Sequence, residues 1–274
     1  GLFAYTERKL QPQIQICSYP SMMAGEVLSA DDVLEFTAIA FLRSGKQIAA
    51  LSGLPAPTLF VWNLAGASGV ELLAKAALPV PCDALSLNPS GDGAMCTLAS
   101  KKLLMWSLRL VYQTYLLTST EVEFEQEDAE HPDTCMWNAH AWGSSGTLYA
   151  GAESGTVTAL PRGQPASPVL RLDKAVRALV TDGTHMTVGC ADGSVSWFLL
   201  EELDGETPLW TVSLGRSALR SLVMAPDYGR LLATTADGEM HVIAYTAEEL
   251  PAEPVANPNE VLAMGRVASF HTAP

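Results

Sequence analysis

The stretch "GCADGSVSWFLL", Gly189 to Leu200, is followed about 45 residues later by "TTADGEMHVIAY", Thr234 to Tyr245. Both join small residues, an Asp-Gly pair and an alternating run. Asp-Gly tolerates the positive φ values of a type I′ hairpin, so Ala191-Asp192-Gly193 and Ala236-Asp237-Gly238 read as tight turns between two strands. After the first turn Val195 and Trp197 share one face, and Ser194 and Ser196 the other. That is the period-two signature of a strand, closed here by Phe198.

Other stretches fit the same frame. "ESGTVTAL" puts Leu160 at the place of Phe198, and "TADGEMHVIAY" puts Ile243 there. "ASKKLLMWSL" supplies Trp106, "APTLFVWNL" Trp62 and "QPQIQICSYP" Cys17. The positions 17, 62, 106, 160, 198 and 243 are separated by 45, 44, 54, 38 and 45 residues. Before each of the last five lies an apolar stretch: "AIAFLRSG", "ALSLNPSG", "AHAWGSSG", "ALVTDG" and "SLVMAPDYG". Each unit reads as apolar strand, Gly turn, small-residue strand, hairpin, alternating strand and more polar outer strand. Four short strands at this period predict an all-β, WD40-type β-propeller. The helix-like "GVELLAKAAL" (Gly69 to Leu78) falls after Trp62, where an outer strand is expected.

The pattern departs from the standard signature. Trp62 is followed by Asn63 and Trp106 by Ser107, so the usual Trp-Asp pair is missing, and no Gly-His pair opens a unit. The first unit lacks an innermost strand, and "RVASFHTAP" reads as the inner strand of a further blade. The chain 1–274 is therefore expected to be a propeller incomplete at both ends. Six repeats or partial repeats would be visible out of seven in the full protein.

Lys and Arg number 16 against 30 Asp and Glu, a formal charge of −14. That sign argues against a nucleic-acid backbone or an anionic membrane as partner, since both need a basic surface. Cys17, Cys82, Cys96, Cys135 and Cys190 form no CxxC pair and read as buried thiols. No apolar run reaches the ~18 residues of a membrane helix.

Two stretches say more. "AYTERKLQPQIQICSYPSM" (Ala4 to Met22) and "LEFTAIAFLRSGKQIAALSGLPAPTLFVWNL" (Leu34 to Leu64) resemble the N-terminal propeller of the family of cilia- and flagella-associated protein 43, a ciliary WD-repeat family. Arg8-Lys9-Leu10, Ser18-Tyr19-Pro20 and Ser52-Gly53-Leu54-Pro55 before Trp62-Asn63 carry the resemblance, with "AHAWGSSGTLYAGAESG" (Ala139 to Gly155) behind them. The resemblance implies a large protein with N-terminal propellers and a coiled-coil tail. It implies a place in the axonemal tether and tether-head complex, which links inner dynein arms to doublet microtubules. The implied partners are a sister WD-repeat subunit and dynein components. Related axonemal propellers share much of the pattern. The family offers no catalytic motif to transfer.

Candidate sites are few. "EVEFEQEDAEHPD" (Glu121 to Asp133) carries seven acids in thirteen residues inside the longest gap. A solvated loop is the plain reading. The functional one is an acidic contact through Glu123, Glu125, Glu127 and Asp128 for a basic partner. His131, Cys135 and His140 are three possible ligands at irregular spacing, short of a zinc set. Trp137 and Trp142 bracket an inner strand: core packing is the default, with Trp137 as a rim anchor for a partner the alternative. No GxSxG, GxxxxGK[ST] or GxGxxG occurs. The expectation is a non-catalytic scaffold with protein partners and no cofactor, metal, nucleic acid, membrane or small-molecule substrate. The rivals are a hydrolase or lyase at the channel mouth and a WD40 adaptor outside the cilium.

Overall fold

Short apolar stretches broken by glycine turns cannot reach helical length, and each folds back on its predecessor to pair its backbone groups. The computed structural model describes every residue except 8, 43–44, 67–68, 91–92, 100–101, 123–135, 204–206, 226–228, 245–262 and 270–274. The chain divides into two units, Gly1–Val122 and Glu123–Pro274. Every described sheet is an antiparallel meander in which neighbours in sequence are neighbours in space.

In the first unit, sheet 1 has three strands, β1 (Leu2–Thr6), β2 (Ile14–Ser18) and β3 (Ala24–Leu28). Sheet 2 holds β4 (Phe36–Phe41), β5 (Gln47–Ser52), β6 (Thr58–Gly66) and β7 (Gly69–Ala77). Sheet 3 holds β8 (Ala84–Leu87), β9 (Ala94–Ala99), β10 (Lys102–Val111) and β11 (Thr114–Glu121). "GVELLAKAAL" is thus an outer strand, β7, paired along β6.

In the second unit, sheet 4 holds β12 (Trp137–Trp142), β13 (Leu148–Ala152), β14 (Thr156–Leu160) and β15 (Ser167–Arg171). Sheet 5 holds β16 (Val176–Thr181), β17 (His185–Cys190), β18 (Ser194–Leu199) and β19 (Trp210–Ser213). Sheet 6 holds β20 (Leu219–Met224), β21 (Arg230–Thr235), β22 (Glu239–Ala244) and β23 (Ala263–Ser269). This corrects the reading of "RVASFHTAP" as the inner strand of a further sheet. β23 is the fourth strand of sheet 6, running from Ala263 opposite Ala244 to Ser269 opposite Glu239. Without it the backbone groups along that edge of β22 would lack ladder partners.

The cores lie between consecutive sheets. One layer joins Val195, Trp197 and Trp210 of sheet 5 to Leu219, Leu222, Leu231 and Ile243 of sheet 6. Another joins Tyr149, Val157 and Leu170 of sheet 4 to Val176, Met186, Val188 and Phe198 of sheet 5. Within the first unit, Ile14, Ile16 and Leu28 meet Ile48, Phe60 and Trp62, while Leu59 and Val61 meet Met95, Leu104 and Trp106. The middle sheet of each unit is therefore buried on both faces, and its second strand has no exposed side: β5 and β17 are buried at all but their first residues. This explains the small residues there. A Cβ on Gly189 would stand 3.1 Å from Leu219 and from Leu222, so the glycine sets how closely sheet 6 approaches sheet 5.

The six frame residues take matching registers. Cys17 faces Phe3, Trp62 faces Ile48, Trp106 faces Met95, Leu160 faces Leu148, Phe198 faces Met186 and Ile243 faces Leu231. In sheets 2 to 6 the residue lies on the third strand; in sheet 1 it lies on β2 of three. Trp62, Trp106, Phe198 and Ile243 each pack into the layer shared with the preceding sheet.

Candidate interaction surface at the turn end of the second unit

In an antiparallel meander the start of the first strand, the turn between the second and third, and the end of the fourth lie at one end. In the second unit this end is built three times over. Gly155, Gly193 and Gly238 each donate their N–H to the residue three back, Ala152, Cys190 and Thr235, at 3.1, 3.3 and 3.1 Å. Their φ values are +88°, +84° and +86°. Asp192 and Asp237 are not in the left-handed region, so the turns are not the type I′ form that the Asp-Gly pairs predict. Each is a four-residue turn whose last residue is a left-handed glycine. The residue after Ala152, Cys190 or Thr235 then donates to the connection before the first strand: Glu153 to Met136, Ala191 to Ala175, Ala236 to Ala218.

The first strand of each of these sheets opens with a bulge that sets one residue outside the ladder. The register skips Asn138 between Trp137 and Ala139, Arg177 between Val176 and Ala178, and Arg220 between Leu219 and Ser221. Bulges re-aim a side chain, and here they aim it across sheets. Asn138 Nδ2 donates to Glu153 Oε2 (2.8 Å) and to the Val176 carbonyl of the next sheet (3.1 Å). Arg177 donates to Glu153 Oε1 at 2.8 Å from the other side. Glu153 is thus clamped between sheets 4 and 5. Sheet 2 has the same bulge, between Phe36 and Ala38, and Thr37 Oγ1 donates to the Cys82 carbonyl at 2.8 Å.

Lys174 meets Asp192 at 2.8 Å, and the Ser194 hydroxyl and N–H also donate to that carboxylate, at 2.5 and 3.0 Å. Burial pushes the Asp192 carboxyl up, but the bonds from Lys174 and Ser194 outweigh it and hold it below the usual range. The bond to Asp192 raises the Lys174 ammonium, with Asp173 adding to it. The Thr235 hydroxyl holds the Asp237 carboxyl low. The Lys174–Asp192 pair is exposed and worth no more than about 1 kcal/mol. The effect of these bonds is to leave an end of ordered, ionised side chains.

The arrangement is suited to recognition. Among the described residues the shortest histidine–carboxylate contact is Asp182–His185, 3.1 Å apart on the turn between β16 and β17, at the opposite end. Asp182 also accepts the N–H groups of Thr184 and His185, so it shapes the turn. His140 lies on β12, where burial lowers its pKa to about 4. Among the described residues no three His, Cys, Asp or Glu side chains are grouped to hold a metal.

Trp137 is buried at 5% exposure on β12, and the register shift that follows it sets Asn138 outside the ladder. Glu123, Glu125, Glu127 and Asp128 lie outside the described residues. The sequence reading passed over Glu153, Arg177 and Arg220. A signal for them exists: "AVRAL" and "ALRSL" repeat an outward Arg in the same frame at the start of two first strands.

No family model matches the chain. It is 22% identical to cilia- and flagella-associated protein 43 of Mus musculus, in an alignment covering 89% of this chain and 18% of that protein. With the Xenopus laevis protein of the same name it is 24% identical, over 46% of this chain and 8% of that one. The chain thus spans under a fifth of the curated relatives it matches. Among solved structures, the Cps50 (Swd1) β-propeller domain of Myceliophteria thermophila superposes with a TM-score of 0.70 and 12% identity, covering 88% of this chain and 79% of that one. The fold is that of an all-β, WD40-type propeller, and along most of its length the chain is similar to cilia- and flagella-associated protein 43.

Proposed function

We propose that this chain is a non-catalytic docking module of a ciliary complex, one propeller of a larger protein whose ring is completed to seven blades outside these residues. The similarity to relatives named for cilia and flagella carries this reading. The finer assignment is a subunit of the axonemal tether and tether-head complex, holding a sister WD-repeat protein and dynein components. The site chemistry supports docking over hydrolysis: at the turn end Lys174 and Arg177 are held by Asp192 and Glu153, and the Asp182–His185 pair shapes a turn.

The acidic insertion supplies one contact in this reading. Added loop length costs little, since closure entropy grows slowly, and its carboxylates steer a basic partner chiefly through association rate. The test is to express the full-length protein, tagged, in ciliated cells, beside a form with Glu123, Glu125 and Glu127 changed to Gln and Asp128 to Asn. Wild type is expected along the axoneme and co-purifying with axonemal proteins. The neutralised form should associate more weakly, with a flatter salt dependence. A diffuse cytoplasmic wild type would sink the ciliary reading; an unchanged salt response would sink the role of the insertion.

A further inference from the structure

Sheets 5 and 6 repeat one another at the turn end, with one difference. Arg177 and Arg220 hold the same position, the bulged residue at the start of the first strand. Arg177 finds a carboxylate, Glu153, on the turn of the preceding sheet. The residue matching Glu153 in the next turn is Ala191: both follow the last residue of the second strand and donate their N–H to the connection before the first. Arg220 therefore stands where its counterpart is paired, without the group that pairs it. It is exposed, and no described side chain bonds it.

Arg216 adds to this. The connection into sheet 5 runs from Leu172 to Ala175, and that into sheet 6 from Leu214 to Ala218, one residue longer. Both begin with an N–H donated to a turn glycine and end with a carbonyl accepting from the next turn. Ser217 stands in the place of Lys174, and its Oγ accepts the Asp237 N–H at 3.2 Å. Arg216 belongs to the longer connection and is also exposed and unpaired among the described residues. Three carboxylates at this end are engaged elsewhere, Glu153 by Arg177 and Asn138, Asp192 by Lys174 and Ser194, and Asp237 by Thr235.

We propose that Arg220, with Arg216 on the connection before it, receives a carboxylate from an acidic segment of a partner protein. The chain shows what the position holds, because Arg177 donates to a carboxylate there. A guanidinium fork matches that group in two parallel bonds. The surface is distinct from the acidic insertion and takes a partner of opposite charge, so its failure leaves the docking-module reading standing.

The test uses the full-length protein and a fluorescein-labelled hexaglutamate peptide, followed by anisotropy at low salt. Saturable binding is expected, weakened at least tenfold in Arg216→Ala/Arg220→Ala. Arg230→Ala removes the same charge from the start of β21, at the opposite end, and should change affinity less than twofold. Ala191→Glu supplies the missing carboxylate from within; it should weaken the peptide at least tenfold while leaving Tm at or above wild type. No saturable binding by wild type would overturn the proposal, as would an equal loss in Arg230→Ala or full affinity in Ala191→Glu. Displacement of the peptide by inorganic phosphate but not by equimolar glutarate would assign the arginines to phosphate instead and overturn the carboxylate.

Discussion

The two units build the junction between second and third strands by different means. In the second unit three short turns end in a left-handed glycine. In the first unit β5 and β6 are joined through "GLPAP", Gly53 to Pro57, and a buried serine organises the loop: Ser52 Oγ contacts the carbonyls of Ala56 (3.1 Å) and Thr58 (3.4 Å). A repeated backbone needs a repeated glycine. A unique loop needs side-chain bonds of its own. The contrast extends to the frame residue. Trp106 of the first unit donates its Nε1–H to buried Thr97 Oγ1 at 3.0 Å. Phe198 has no donor, and the residue matching Thr97 in β17, two past the one it faces, is Val188. Ile243 with Ala233 and Leu160 with Ala150 follow the same rule. In sheet 3 the polar frame residue and its polar neighbour occur together, and each satisfies the other's buried group; in sheet 2 buried Trp62 has Ala50 at the matching place, so the pairing belongs to sheet 3 and not to every tryptophan of the frame.

The glycine turns offer the hardest test of this contrast. A Cβ on Gly193 would stand 2.8 Å from the Gly215 carbonyl oxygen and 2.9 Å from that of Ser217. Gly193→Val thus combines left-handed strain with a backbone clash, at about 4 kcal/mol. Gly45 of the first unit is left-handed too, at φ +65°, with nothing near its Cβ position. Gly45→Val should cost about half as much. Equal losses in urea unfolding would remove the clash from the account.

Acid separates the units next. All five histidines, 131, 140, 185, 241 and 271, fall in the second unit. His140 is lowered from 6.5 to about 4 by burial. The unfolded chain takes up a proton below pH 6.5 that the folded imidazole refuses until about pH 4. Stability is therefore lost as pH falls through that window, by about 3 kcal/mol. Asp192 and Asp182, both lowered in the fold, stabilise above their unfolded pKa of 3.8 and lose that contribution only as pH falls below it. His140→Phe should flatten the upper window of a Tm–pH profile and leave the lower one. A profile unchanged between pH 6.5 and 4 would count against an enclosed, neutral imidazole.

The smallest expected effect is at the frame. Trp106→Phe removes the bond to Thr97 and should cost about 1–2 kcal/mol. Adding Thr97→Val, which recreates the Phe198–Val188 pairing, should recover part of that loss. A double variant that is strictly additive in urea unfolding would mean the bond does not couple them.

The period of the frame residues was legible in the chain because strand alternation and turn chemistry are local. Val195 and Trp197 on one face, and Phe198 on the other, follow from neighbours in sequence, and they pack into different layers accordingly. "GVELLAKAAL" was placed by its position in the frame and is a strand. The turn type was misread because Asp-Gly permits several turns, and only the bond from Gly193 to Cys190 selects one. "RVASFHTAP" was misplaced because an outer and an inner strand share the same local pattern.

Sequence alone determined the class of fold, the strand order within sheets 2 to 5 and the faces of the central strands, since all three arise from backbone pairing and burial a few residues apart. Only the tertiary structure decided which charges meet. Glu153 and Arg177 are 24 residues apart, and a bulge on one sheet brings them to 2.8 Å across a gap between two. Nothing in the spacing of either residue encodes that approach; it exists only once sheets stack, and in the next turn the place matching Glu153 holds Ala191.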